Sequence, residues 1–311
     1  MPQPLRVREH TGMCDASASV LVDADHMLAA SDEDNVLRLY RLDSGGNPVA
    51  EFDWNAALDI DPTKKHFEAD IEAAARVGDR VYWVTSHGAN REGEARPNRR
   101  RFFATDLHWA NGKLMLTAVG TPYRHLVERM AESPGLKKFD LTERARHAPE
   151  SDNGLNIEGL TVTRGGRLLI GFRNPIPDGE ALLVPFLNPD PVLAGAEAPR
   201  FGKPVFLHLG GLGVRSIDYA PAHDAYFIVA GAAADGGAFA LYRWTGGAGD
   251  DAVPMADVNF AELNPEAVVA PAASRKELLI LSDDGGRVVD GVTCKNGPAA
   301  KRRFRSVWVT P

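Results

Sequence analysis

The 311-residue chain carries 35 Lys and Arg against 42 Asp and Glu, a formal net charge of −7, and 44% of its residues are hydrophobic. That composition excludes a disordered or collagen-like chain, and the acidic balance disfavours nucleic acid as a partner, because phosphate neutralisation needs excess basic charge. No apolar run reaches the ~18 residues of a membrane helix, so no membrane partner is expected, while 30 Gly and 21 Pro imply many turns.

From the N-terminus onward, Met1-Pro2-Gln3-Pro4-Leu5-Arg6 lacks the charged-then-apolar pattern of a secretory leader. The expectation is a cytoplasmic protein in which Cys14 and Cys294 are free thiols, or a periplasmic one if a leader has been removed. Residues 3–9 alternate as a strand with no neighbour in sequence to pair with.

Five segments then follow one grammar: a small or acidic residue, a short strand, a turn and a strongly apolar strand. They begin at Ser17, Glu72, Glu158, Ser216 and Glu266, at intervals of 55, 86, 58 and 50 residues. The apolar partners are residues 26–30, 80–84, 167–171, 226–229 and 278–281, reached through turn formers such as Asp23-Ala24-Asp25 and Gly165-Gly166. Their near-continuous hydrophobicity suits strands covered on both faces. Third strands are predicted at 36–42, 101–107, 181–186, 238–244 and 303–309, and fourth strands at 49–52, 113–119, 204–209 and around 253–256.

A repeat of this period and content predicts an all-β fold, a five-bladed β-propeller spanning 1–311 as a single domain. Its blades fall at about 15–55, 70–120, 156–210, 214–258 and 264–311, the last completed by the N-terminal strand, 3–9. Six blades is the alternative if residues 131–149 conceal a degenerate one. The long second interval holds a short helical insertion around residues 122–148, with Leu126, Val127 and Met130 on one side of its first helix. Such an insertion either gates a propeller face or decorates the surface. The basic runs Arg99-Arg100-Arg101 and Lys301-Arg302-Arg303 read as solvated strand edges.

Aligning the repeats brings distant residues to one channel mouth. The aligned position holds Ser17, Glu72, Glu158, Ser216 and Glu266. Two residues earlier stand Asp15, Asp70, Asn156, Val214 and Asn264. The returning strands end at Asp32, His87, Arg173, Gly231 and Asp283. His66, Glu68, Asp70 and Glu72 share one side of an extended lead-in, whose last two members alone are expected to reach the site. Carboxylates crowded at a narrow mouth either keep protons or hold a cation. Ca²⁺ or Mg²⁺ prefers such oxygens, with Asp15, Glu72, Glu158 and Glu266 as ligands; otherwise Arg173 or Arg215 satisfies the acids around the ring. His87 is then the proton-transfer candidate and Arg173 the anchor for an anionic group. Cys14, facing away from Asp15, reads as packed.

Cys14-Asp15-Ala16-Ser17-Ala18, with Ala30-Ser31-Asp32-Glu33-Asp34-Asn35, resembles the opening signature of an uncharacterised bacterial domain-of-unknown-function family of predicted β-propellers. Ala69-Asp70-Ile71-Glu72, Ser86-His87-Gly88 and Leu155-Asn156-Ile157-Glu158-Gly159-Leu160 resemble further motifs of that family. The Asn-Ile-Glu-Gly-Leu segment is also similar to one in the esterase-like phytase group, which implies phosphoester hydrolysis with Glu72, Glu158 and Glu266 as metal ligands. The resulting expectation is a metal-dependent hydrolase of a phosphoester or lactone. The alternative is a non-catalytic scaffold that binds a small molecule or another protein.

Overall fold

The computed structural model describes residues 6–234, 236–247, 249–260, 262–271 and 276–311. Strands dominate, and five four-stranded antiparallel sheets form the five blades of a β-propeller. From the inner strand outward, the first blade is Ala16–Leu21, His26–Ser31, Val36–Arg41 and Ala50–Asp53. The second is Ile71–Val77, Arg80–Thr85, Phe102–Ala110 and Lys113–Ala118, and the third is Asn156–Val162, Leu168–Asn174, Ala181–Phe186 and Val205–Leu207. The fourth is Gly213–Ala220, Ala225–Gly231, Ala240–Trp244 and Val253–Pro254. The fifth runs Pro265–Val269, Leu278–Ser282 and Arg303–Val309, and its outer strand is Arg6–Thr11 from the opposite end of the chain. Residues 3–5 of the expected closing strand lie outside the described residues.

The second strands are apolar throughout because each serves two seams. Met27 and Ala29 pack toward the fifth blade, whereas Leu28 and Ala30 pack toward the second. Every adjacent pair of blades has its own buried cluster of this kind, five clusters for five seams. Burying a Leu or Phe there stabilises the fold by ~1.5–3 kcal/mol each.

Between the second and third blades lies the helical insertion, with helices at Leu126–Glu132 and Leu141–Arg144. It conceals no sixth blade. Leu126, Val127 and Met130 are buried as predicted, within the cluster that joins the second and third blades. The insertion therefore wedges a seam; only its end, at Pro149 and Glu150, reaches the channel mouth.

Ring closure is both covalent and polar. Arg6–Thr11 pairs with Arg303–Val309, His10 stacks on Phe304 and its Nε2 lies 2.8 Å from Ser306 Oγ, and the Tyr40 hydroxyl donates to the Thr11 carbonyl at 2.7 Å. Cys14 and Cys294 are joined in a disulfide with Cα atoms 5.9 Å apart, across 280 residues of sequence. The expectation of free thiols is thereby corrected: composition cannot show that the fifth blade carries Cys294 back to the start of the first. Among the described residues no helix is long and apolar enough to cross a membrane.

Candidate functional site: a bipolar channel mouth

Each inner strand slips register near its start, between Ala16 and Ala18, Ile71 and Ala73, Ile157 and Gly159, Val214 and Ser216, and Pro265 and Ala267. The residues left out of the ladder are Ser17, Glu72, Glu158, Arg215 and Glu266. A bulge re-aims the side chain it leaves unpaired, so this irregularity brings Glu72, Glu158, Arg215 and Glu266 to the mouth, whereas the buried Ser17 hydroxyl donates to the Ile71 carbonyl. Four of the five positions agree with the sequence alignment. In the fourth blade the equivalent residue is Arg215, one before the predicted Ser216, whose Oγ instead accepts the Val268 N–H at 3.0 Å.

Asp15, Asp32, Asp70, Glu72, Asn156, Glu158, Arg173, Asn264, Glu266 and Asp283 all line a single cavity of about 790 Å³. His66 and Glu68 line it too, so all four members of the alternating lead-in reach the site. His87 does not. In the second blade Ile71 pairs with Thr85 and the Ser86 N–H donates to the Asp70 carbonyl at 3.0 Å, which places Ser86 at the mouth and His87 one step beyond. The His87 ring is buried, its Nδ1 lies 2.8 Å from the Thr85 carbonyl, and burial pushes its pKa down to about 4. A proton-transfer role for His87 at the mouth is therefore corrected: the imidazole is neutral and walled off. Arg173 reaches the cavity because a second slip in the third blade pairs Asn156 with Asn174 and Ile157 with Phe172, leaving Arg173 unpaired between them.

Carboxylates crowd one part of the cavity, where Lys295 pairs with Glu33 at 3.4 Å and Arg215 acts on Asp283. On the seam of the first and fifth blades, Asp15 and Asp283 form an isolated backbone bridge, and the Asp15 carboxyl hydrogen-bonds to Asp283. Burial, with Asp283 and Glu33 nearby, pushes Asp15 up to about 8, so at neutral pH it donates the proton and Asp283 accepts it. Asp32 is pushed well up by burial and then by Asp15 and Asp283, and its Oδ1 has no hydrogen-bond partner. Glu72 is raised in the same way, by burial and then by Asp70 and Glu158. Gly285 closes over this cluster, and a Cβ there would strike the Asp15 carboxylate.

Across the mouth, glutamates and arginines neutralise each other. Glu158 meets Arg173 at 3.1 Å and Arg215 at 3.1 Å, and Asn156 Nδ2 donates to its Oε1 at 2.6 Å. Arg215 also pairs with Glu266, while Arg99 enters from the second blade to meet Asp70 at 3.1 Å and Glu68 at 3.5 Å. The basic run at 99–101 is thus no solvated edge: Arg100 pairs with Glu128, and buried Arg101 donates to the Leu58 carbonyl. Arg99 was missed because nothing in its run marks which Arg turns inward; the unpaired Glu68 and Asp70 nearby are the signal that could have found it. Glu158 and Glu266 are held by arginines, and among the described residues no group of three or more His, Cys, Asp or Glu is arranged to hold a metal ion.

Fold and mouth together define a five-bladed propeller with a polar, ligand-sized cavity at one channel mouth. A family model described as "Protein of unknown function (DUF3616)" matches residues 114–305, more than half of the chain, and the protein belongs to that family. No curated protein matches it. Among solved structures it is similar to a putative oxidoreductase (glucose dehydrogenase) from Thermus thermophilus, with a TM-score of 0.50 at 15% identity over 98% of this chain and 100% of that one. Glutaminyl cyclase from Myxococcus xanthus gives 0.48 at 13% over 98% and 95% of the two chains. The PQQ-bound aldose sugar dehydrogenase from Streptomyces coelicolor gives 0.46 at 12% over 98% and 99%. At such identities the likeness concerns the fold alone.

Proposed function

We propose that the channel mouth is a hydrolytic site for a small phosphoester or lactone, worked by carboxylates on one side and arginines on the other. The observation that carries the reading is the backbone bridge that sets the buried Asp15 and Asp283 carboxyls side by side on the blade seam, in one cavity with Arg173 and Arg215. In this scheme the Asp283 carboxylate takes a proton from water as the water adds to the phosphorus or carbonyl carbon. Asp15 gives its proton to the leaving oxygen as the ester bond breaks, and the arginines hold the anionic oxygens. A cavity of about 790 Å³ admits a drug-sized substrate.

The test is turnover of a panel of nitrophenyl phosphoesters and lactones by wild type and Asp283→Asn, each with chelator and with added Ca²⁺ or Mg²⁺. The reading expects turnover that falls at least ~100-fold in Asp283→Asn. Wild-type turnover of nothing on the panel overturns it in favour of the binding scaffold. The cation arms address the metal expectation: an ion held by Asp15, Glu72, Glu158 and Glu266 would make turnover depend on added cation and vanish with chelator.

The disulfide supports an oxidising compartment over the cytoplasmic expectation, since such bonds are rare where glutathione keeps thiols reduced.

A further inference from the structure

The opposite end of the channel has a different chemistry. There the inner strands leave the ring, and their last residues enclose a second cavity of about 660 Å³. Its walls are largely apolar: Leu21, Ala74, Val162, Val269 and Trp308 come from four of the five blades. Blade two shows how one strand serves both mouths. Glu72, Ala74 and Arg76 are partly exposed on one side of it while Ile71, Ala73 and Ala75 are buried on the other, so the lumen runs from an acid through a methyl group to a base.

Two of the charged side chains at this end are already engaged. Arg76 donates to the Leu21 and Val22 carbonyls at 2.6 Å each, and Asp23 binds His26. Asp218 is different. It accepts from the Thr161 hydroxyl at 3.2 Å, the Tyr219 N–H at 2.9 Å and the Ala270 N–H at 2.8 Å, all neutral donors, and among the described residues no basic side chain pairs with it. Those three bonds fix the carboxylate in place yet fill only three of its roughly four acceptor sites, and they leave its charge uncompensated beside an apolar wall.

We propose that this second mouth is a separate binding site for a small organic cation, an amine on an apolar body, with the ammonium paired to Asp218 and the body against Leu21, Val162, Val269 and Trp308. The volume lies within the range of small-molecule pockets, and the site is ringed by strand ends on every side, which suits a compact ligand rather than a protein face. Charge decides the class: a neutral apolar molecule would leave Asp218 unpaired, and an anion would oppose it.

The probe is 1-naphthylmethylamine, compared with 1-naphthylmethanol of the same shape, titrated calorimetrically into the folded chain at pH 8. Saturable 1:1 binding is expected, with the amine at least ~10-fold tighter than the alcohol, the order of one desolvated charge pair. Asp218→Asn should bring the two ligands to similar affinity. Ala74→Trp, which places an indole among the cavity walls, should abolish both. Asp283→Asn, at the other mouth, should change neither, which separates this site from the acidic one. Absence of saturable binding overturns the proposal. So does amine binding that survives Ala74→Trp or is lost in Asp283→Asn. If circular dichroism shows Asp218→Asn unfolded, Ala74→Trp with the amine/alcohol comparison decides alone.

Discussion

Opening the Cys14–Cys294 bridge should lower the stability of the whole ring, because it is the single covalent tie between the two ends of the circle. The bond closes 280 residues. Loop-closure entropy for that length corresponds to about 5–6 kcal/mol at 25 °C, an upper figure because a denatured chain is already partly compact. The reduced protein still has the Arg6–Thr11 pairing and the His10, Tyr40 and Phe304 packing to hold the seam, so it should fold. With an unfolding entropy near 2.1 cal/mol/K per residue, the loss lowers Tm by up to roughly 8–9 °C. The assay is a thermal melt of wild type with and without reductant, beside Cys14→Ser/Cys294→Ser, with thiols counted under denaturing, non-reducing conditions. Wild type should show no reactive thiol, and the double variant should melt like reduced protein. Two reactive thiols in unreduced wild type, or a Tm unmoved by reductant, would rule out a stabilising bridge.

Arg215→Met strips Glu158 and Glu266 of a shared buried cation and should cost about 3–5 kcal/mol, read as a lower denaturation midpoint. Asp15→Asn acts the other way. A carboxyl raised to about 8 favours the fold most below its unfolded pKa near 4, and that contribution is lost as pH rises through 8. Wild type should therefore lose stability between pH 5 and 9 more steeply than Asp15→Asn, which should melt ~2–5 °C higher at pH 9; parallel pH profiles would contradict this. Gly285→Ala forces a methyl against the Asp15 carboxylate and should lower Tm by several degrees in wild type. Combining it with Asp15→Ala should recover most of that loss.

Much of the architecture was legible because the signal was repeated. Five apolar second strands, each packed on two sides, leave a hydrophobic run that no surface strand would tolerate. The orphan N-terminal strand had one vacancy to fill, beside residues 303–309. The acid positions were legible for the same reason, since Glu72, Glu158 and Glu266 each precede such a run. What escaped was register. Arg215 stands one place from the aligned Ser216 because the blade-four bulge falls one residue earlier, and His87 was assigned to a mouth position that Ser86 fills. Strand ladders slip by single residues for reasons of packing between blades, which a linear spacing does not carry. The disulfide was hidden likewise: Cys14 and Cys294 become neighbours only through ring closure.

The proposed hydrolytic site depends on a proton held between Asp15 and Asp283 at neutral pH. Carbon-13 NMR titration of aspartate carboxyls, in wild type and Asp15→Asn, reads it directly. One carboxyl titrating near pH 8 in wild type and missing from Asp15→Asn is the predicted result; every aspartate titrating below pH 5 would contradict it.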